Sequence, residues 1–365
     1  MISIHRRRGF SLIETGVMLV VVSMVGMVAA PAVQESRSKM RRVNSTANLQ
    51  QIGQSAAVYG FSNQGRLFSY SWRAGETYRM PNGVYRTFNS DQIAAARQSE
   101  EILQRLTGRI AGRENIQNLE ARLPHRRFNH LVLVDFLGEE LGSSKYIDPA
   151  DQNQLYWAAN PLEYLEDENS LPYGSRGVDY SDFDDDPNWR TLAVQQRWTF
   201  TTSYQSVPAS WQPDYPNTQY IPITSSPHLF TFGGGGPGNQ VDLHTGRYYF
   251  EIASPSQKVW LHEEFDREQA VQPFFVYDVA QTEKLMFDLS VNNWSSGSAN
   301  SSRVEHYGLG VWRQRYVSLH QFPDPITGLG EQTLLDQRFR WTYRGLGGVD
   351  YGLAQPGRKP MRYTR

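Results

Sequence analysis

Apolar residues are distributed unevenly along the chain. Residues 15–33 carry no charge and are dominated by Val, Met, Leu and Ala. As a helix they span about 28 Å, close to the hydrocarbon thickness of a bilayer. Arg6, Arg7 and Arg8 precede the run, an asymmetry that keeps the extreme N-terminus cytoplasmic and sends the rest of the chain across. Beyond Pro31 the pattern stays helical. Met40, Val43 and Ala47 form one stripe, and Leu49, Ile52, Ala56 and Tyr59 form a second, rotated stripe spaced 3, 4 and 3. The rotation predicts a helix whose later part packs under its own head. Turn-forming residues at Gly60 and across 62–65 end it.

Past residue 62 the pattern breaks into short pieces. Residues 68–72 and 77–88 alternate around Pro81-Asn82-Gly83 and predict a hairpin. Ser90 or Asp91 caps a helix to about Thr107, a second helix covers 114–123, and 131–137 reads as a helix capped by Asn129. Strands are expected at 197–204, 248–252, 258–262, 274–277, 285–287 and 311–319, with a polar loop at 293–302. The fold class is therefore α+β: one long N-terminal helix joined to a large, β-rich head with a few helices.

Composition narrows the chemistry. With 36 Lys and Arg against 37 Asp and Glu, the net charge of −1 gives no basic field for nucleic acid. The absence of cysteine removes disulfides, thiolate nucleophiles and thiolate metal ligands. No pair among the eight histidines has the spacing of a zinc helix, and no Gly-x-Ser-x-Gly elbow occurs. Glu139-Glu140 and Glu263-Glu264 are adjacent pairs whose side chains diverge, so neither predicts a carboxylate dyad. The acidic segment 179–186 offers oxygen ligands without the order of a calcium loop and reads as a solvated loop. The expectation is a protein that is not an enzyme, with no metal and no cofactor. Of nine tryptophans, Trp294 lies in the polar loop and is the candidate for an exposed partner-binding residue.

One residue disturbs the reading of 15–33 as a plain anchor or a cleaved signal sequence. Glu14 stands directly against the apolar run, where a carboxylate is costly without a partner. Arg8-Gly9-Phe10-Ser11-Leu12-Ile13-Glu14 resembles the leader junction of type IV pilins and type II secretion pseudopilins. The resemblance implies cleavage by a prepilin peptidase between Gly9 and Phe10 and N-methylation of Phe10. It also implies that Glu14, fifth in the mature chain, pairs with the terminal amine of a neighbouring subunit. Pro31 falls where pilins often carry a helix-bending proline. The implied organisation is a leader (1–9), a transmembrane and assembly helix (10–62) and a head (63–365) that folds alone.

The implied partners are the processing peptidase and methyltransferase, copies of the chain or other pilin-like subunits, and inner-membrane lipid. The implied location is the bacterial inner membrane with the head in the periplasm, and then a filament of the envelope or surface. Residues 129–135, 255–259 and 285–288 resemble segments of large prepilin-like proteins that occur as many paralogues. The chain departs from their usual His and Asp-Gly pattern, with Asp278 and Leu289 in those places. The other expectation is a membrane-anchored periplasmic module that binds glycan or protein without polymerising.

Overall fold

The stripe at Leu49, Ile52, Ala56 and Tyr59 is where an exposed helix becomes part of a core. In the computed structural model, α1 runs unbroken over Leu12–Ser62. All four stripe residues are buried, whereas Met40 and Val43 of the earlier stripe are exposed. The structure describes residues 12–80, 82–108, 129–137, 143–159, 201–211, 246–269, 273–300, 303–305, 312–314, 322–323, 330–331, 338–342 and 345–352. The chain divides into two units, Met1–Val43 and Asn44–Arg365. The boundary lies inside α1, so the unit that holds the head begins at Asn44, and a cut at residue 63 removes part of its core.

α1 continues through Pro31, which lacks the N–H that would bond the carbonyl one turn back. The helix ends where Gln64 and Gly65 adopt positive φ and the Gly65 N–H bonds the Gly60 carbonyl at 2.8 Å, a left-handed C-terminal stop. Gly60 permits a close approach, since a Cβ there would lie 2.6 Å from the Tyr249 ring.

The first hairpin pairs β1 (Thr77–Arg79) with β2 (Tyr85–Thr87). Residues 68–72 are not a strand; Trp72 instead stacks on Tyr78 at 4.4 Å. α2 (Asp91–Thr107) is capped by the Ser90 side chain and closed by Gly108 in the left-handed region. It buries Ala94, Ala95, Ala96, Ile102 and Leu103. The helical reading of 131–137 resolves into a 3₁₀ turn, Asn129–Leu133, followed by α3 (Val134–Leu137). Asp135 of α3 takes a bidentate bond from Arg105 at 2.6 and 2.9 Å. A short α4 (Gln152–Ala159) follows. The expected helix at 114–123 lies outside the described residues.

The central sheet is antiparallel, with β3 (Tyr204–Ser206), β4 (Val259–Glu263), β5 (Lys284–Met286) and β6 (Val291–Asn292) in sequence order. β3 begins at the last residue of the expected 197–204 strand. Two strand expectations fail for local reasons. Residues 249–251 form a 3₁₀ turn because the Glu251 carboxylate bonds the Tyr248 N–H while the Tyr248 carbonyl takes the Glu251 N–H. At 274–277 the Tyr277 N–H bonds back to the Phe274 carbonyl, so only Phe274 makes a strand-like bridge, to Phe265. Two smaller antiparallel pairs complete the described strands: β7 (Arg303–Glu305) with β8 (Trp312–Gln314), and β9 (Phe322–Pro323) with β10 (Gly330–Glu331). A long apolar helix and a partly β-structured region with few helices make the fold compatible with α+β.

α1 covers one face of the central sheet. Ser45 meets Glu263 and Tyr204, and a Cβ at Gly53 would touch Leu285. Trp260 anchors the adjoining core. It is fully buried, stacks on Phe287 at 5.0 Å and meets Phe68 and Tyr249 edge-on or tilted. The opposite face carries Gln205, His262 and Lys284 in register, with Phe275 and Phe339 against the histidine ring.

Candidate functional site

The site to which the sequence points is a helix surface, not a cleft. Leu12, Ile13, Val17, Met18, Leu19, Val20, Val21, Val22, Met24, Val25 and Met27 are all more than half exposed. This part of α1 is long and apolar enough to cross a membrane, and none of its most apolar window is buried. Each of these side chains leaves on the order of 1.5–3 kcal/mol of burial free energy unrealised in water. Lipid, or other apolar helices, can supply that burial.

Gly9 and Phe10 lie outside the described residues. Glu14 is exposed in the first turn of α1, where the amino end of the helix dipole favours a carboxylate. Pro31 lies in the helix interior. Further along, Lys39 and Glu35 pair at 2.7 Å with both side chains exposed, so the pair contributes little.

Trp294 is 41% exposed. Its ring rests 4.9 Å from Tyr351 and its carbonyl accepts a hydrogen bond from Lys284 Nζ at 2.7 Å. The loop is thus fixed by its backbone while the indole stays partly open to solvent. The acidic segment 179–186 lies outside the described residues. Among the described residues, no group of three or more His, Asp or Glu could hold a metal ion.

Sequence reasoning did not find the buried charges of the head. Lys258 and Asp350, both essentially inaccessible, pair at 3.0 Å, and Thr342 bonds both. Arg267 pairs with Asp151 at 2.9 Å and Arg340 with Glu264 at 3.1 Å. Glu264 and its neighbour Glu263 do diverge, as adjacent strand residues must, and each finds its partner far away in sequence.

His262 is fully buried, and its Nδ1–H donates to the Glu263 carbonyl at 2.8 Å. Burial, and then the positive charge of Arg340, hold its pKa well below the ordinary histidine value. The folded ring therefore stays neutral where the unfolded one takes up a proton, and stability falls with pH below about 6.5 by up to about 1.4 kcal/mol per unit. Urea unfolding of residues 44–365 and of its His262→Leu variant across the acid range checks this. The variant's acid limb will be flatter by about that slope, and parallel limbs would contradict it.

No family model, curated protein or solved structure matches the chain.

Proposed function

We propose that this chain is a structural pilin-like or pseudopilin-like subunit. In this reading a prepilin peptidase cuts between Gly9 and Phe10, and the chain assembles through α1 into a type IV pilus or a type II secretion pseudopilus. The observation that carries the reading is the exposed apolar part of α1, none of whose most apolar window is buried, with Glu14 in its first turn at the required spacing from Gly9 and Phe10. Among the described residues none of this apolar window is buried, so the surface is open to lipid or to other helices. Glu14 gives the exchange of one for the other a direction. In lipid its carboxylate is a cost, and beside the amine of a neighbouring Phe10 it is neutralised. The head is carried on the filament and sets its surface, and catalysis has no part in the reading.

The test is Glu14→Leu. The variant inserts into the membrane at least as well as the parent, because it removes a charge from an apolar helix. Its incorporation into sheared filaments falls by about tenfold or more, the equivalent of an ion pair or hydrogen bond of about 1–2 kcal/mol between packed membrane helices. Undiminished incorporation contradicts assembly through Glu14 and leaves the anchored binding module as the better account.

A further inference from the structure

Two arginines of the head converge on one glycine. Residues 65–67 and 247–249 run antiparallel. The Leu67 N–H bonds the Arg247 carbonyl at 2.8 Å, the Tyr249 N–H bonds the Gly65 carbonyl at 3.0 Å, and Arg66 bridges Tyr248. That pairing sets Arg66 beside Gly246. A Cβ on Gly246 would clash with Arg66 Nη1 and lie 3.9 Å from Arg73 Nη2. Both guanidinium groups therefore face the same point, and a residue without a side chain leaves it open. The charges of both also act on the Tyr59 hydroxyl near the end of α1.

Like charges held together repel, and here neither is offset. Among the described residues, no carboxylate forms an ion pair with Arg66 or Arg73. The acidic residues of the adjoining segments are engaged elsewhere. Glu251 pairs with Arg247 at 2.8 Å, Glu76 accepts the Tyr78 hydroxyl at 2.5 Å, and Asp91 accepts the Ala74 N–H at 2.7 Å. Arg73 is held instead by main-chain carbonyls, its Nη1 donating to Tyr70 and Trp72 at 3.2 Å each. Arg66 lies over the Tyr248 ring, 5.2 Å from its centroid. Uncharged groups thus fix both side chains, and each guanidinium keeps donors for a ligand.

Tyr248 links this point to an open aromatic surface. Phe250 stacks on it at 5.1 Å with the ring planes 22° apart, and Phe250 is 83% exposed. An apolar ring next to paired guanidinium groups suits a sugar that carries a carboxylate. The C–H face of the sugar lies on the aromatic ring, and the planar carboxylate matches the planar guanidinium fork. A peptide of Asp and Glu would use the charges and have no use for the ring. A neutral glycan would use the ring and leave the charges unmatched.

We propose that Arg66, Arg73 and Gly246 form an anion site that, together with Phe250, binds an acidic glycan. The carboxylate of one uronic acid residue sits between the two guanidinium groups, and a sugar ring rests on Phe250. The site lies wholly within the unit that begins at Asn44. It therefore goes beyond the assembly reading, and it stands whether or not the chain polymerises.

The test uses the full chain in non-ionic detergent micelles and titrates it with hexagalacturonate by isothermal calorimetry at low salt. The parent binds this probe, more weakly as salt is added. It binds hexaglutamate less tightly and does not bind uncharged maltohexaose. Arg66→Gln weakens hexagalacturonate binding about tenfold or more, through loss of a charge-assisted contact. Gly246→Ala keeps both charges and the ring but fills the point between them, and it weakens binding to a similar degree. That variant separates a seated carboxylate from diffuse attraction to a positive surface. Phe250→Ala brings hexagalacturonate down to the level of hexaglutamate. If Gly246→Ala does not fold, Arg73→Lys serves instead, since it keeps the charge, loses the fork and weakens binding. No binding of hexagalacturonate by the parent, equal binding of hexaglutamate or maltohexaose, or unchanged affinity in Arg66→Gln or Gly246→Ala overturns the proposal.

Discussion

A chain that begins at Asn44 will fold in water, and one that begins at residue 63 will not. The sequence placed the head at 63–365, but the compact unit starts at Asn44 because α1 supplies part of the core. Cutting at 63 removes Leu49, Ile52, Ala56 and Tyr59, all buried. It also removes the edge-on contact of Tyr59 with Phe136 at 5.3 Å and the Ala56 carbonyl that accepts from the Tyr249 hydroxyl. Truncating one large core side chain costs about 2–5 kcal/mol. Losing Leu49, Ile52 and Tyr59 together consumes most or all of a stability that totals about 5–15 kcal/mol. Size-exclusion chromatography and thermal unfolding by circular dichroism of the two pieces check this. A cooperative transition of equal midpoint in the shorter piece would show that the helix is dispensable to the head.

The second large effect lies at the buried pair of Lys258 and Asp350. Asp350→Ala leaves Lys258 Nζ buried with its counter-charge gone, at a cost of about 3–5 kcal/mol. Asp350 also accepts the Val259 N–H at 2.8 Å, and its backbone joins the segment after residue 345 to Gln257 and Asn300. Denaturant unfolding of residues 44–365 will therefore show a stability loss of about that size, concentrated in the attachment of this segment to β4. Replacing both partners, as Lys258→Met with Asp350→Leu, recovers much of the loss, because the uncompensated charge is gone. The double-mutant cycle gives a coupling of about 1–3 kcal/mol. A single Asp350→Ala variant within 1 kcal/mol of the parent would contradict a charge pair that depends on mutual compensation.

How much of this was legible in the sequence depended on range. The α1 stripe was readable because the spacing of Leu49, Ile52, Ala56 and Tyr59 is a local property of a helix. The same holds for α2, where Ser90 and Gly108 mark the ends. The strands were harder to place. Residues 249–251 and 274–277 carry strand-forming aromatics, yet local hydrogen bonds accepted by the Glu251 carboxylate and the Phe274 carbonyl turn the backbone instead. The buried charge pairs were not legible at all, since Lys258 and Asp350, or Arg267 and Asp151, are far apart in sequence and meet only in the folded chain. At the N-terminus the position was reversed. Gly9, Phe10 and Glu14 are legible only as a sequence pattern, and the exposed apolar surface of α1 is the structural feature that agrees with a membrane-crossing segment.

The central claim, processing at Gly9 followed by assembly through the helix, is tested most directly by the intact mass of the protein extracted from the membrane. The account predicts a chain beginning at Phe10 and carrying one methyl group on its terminal amine. A chain still beginning at Met1, or one beginning after Ala30, would contradict it.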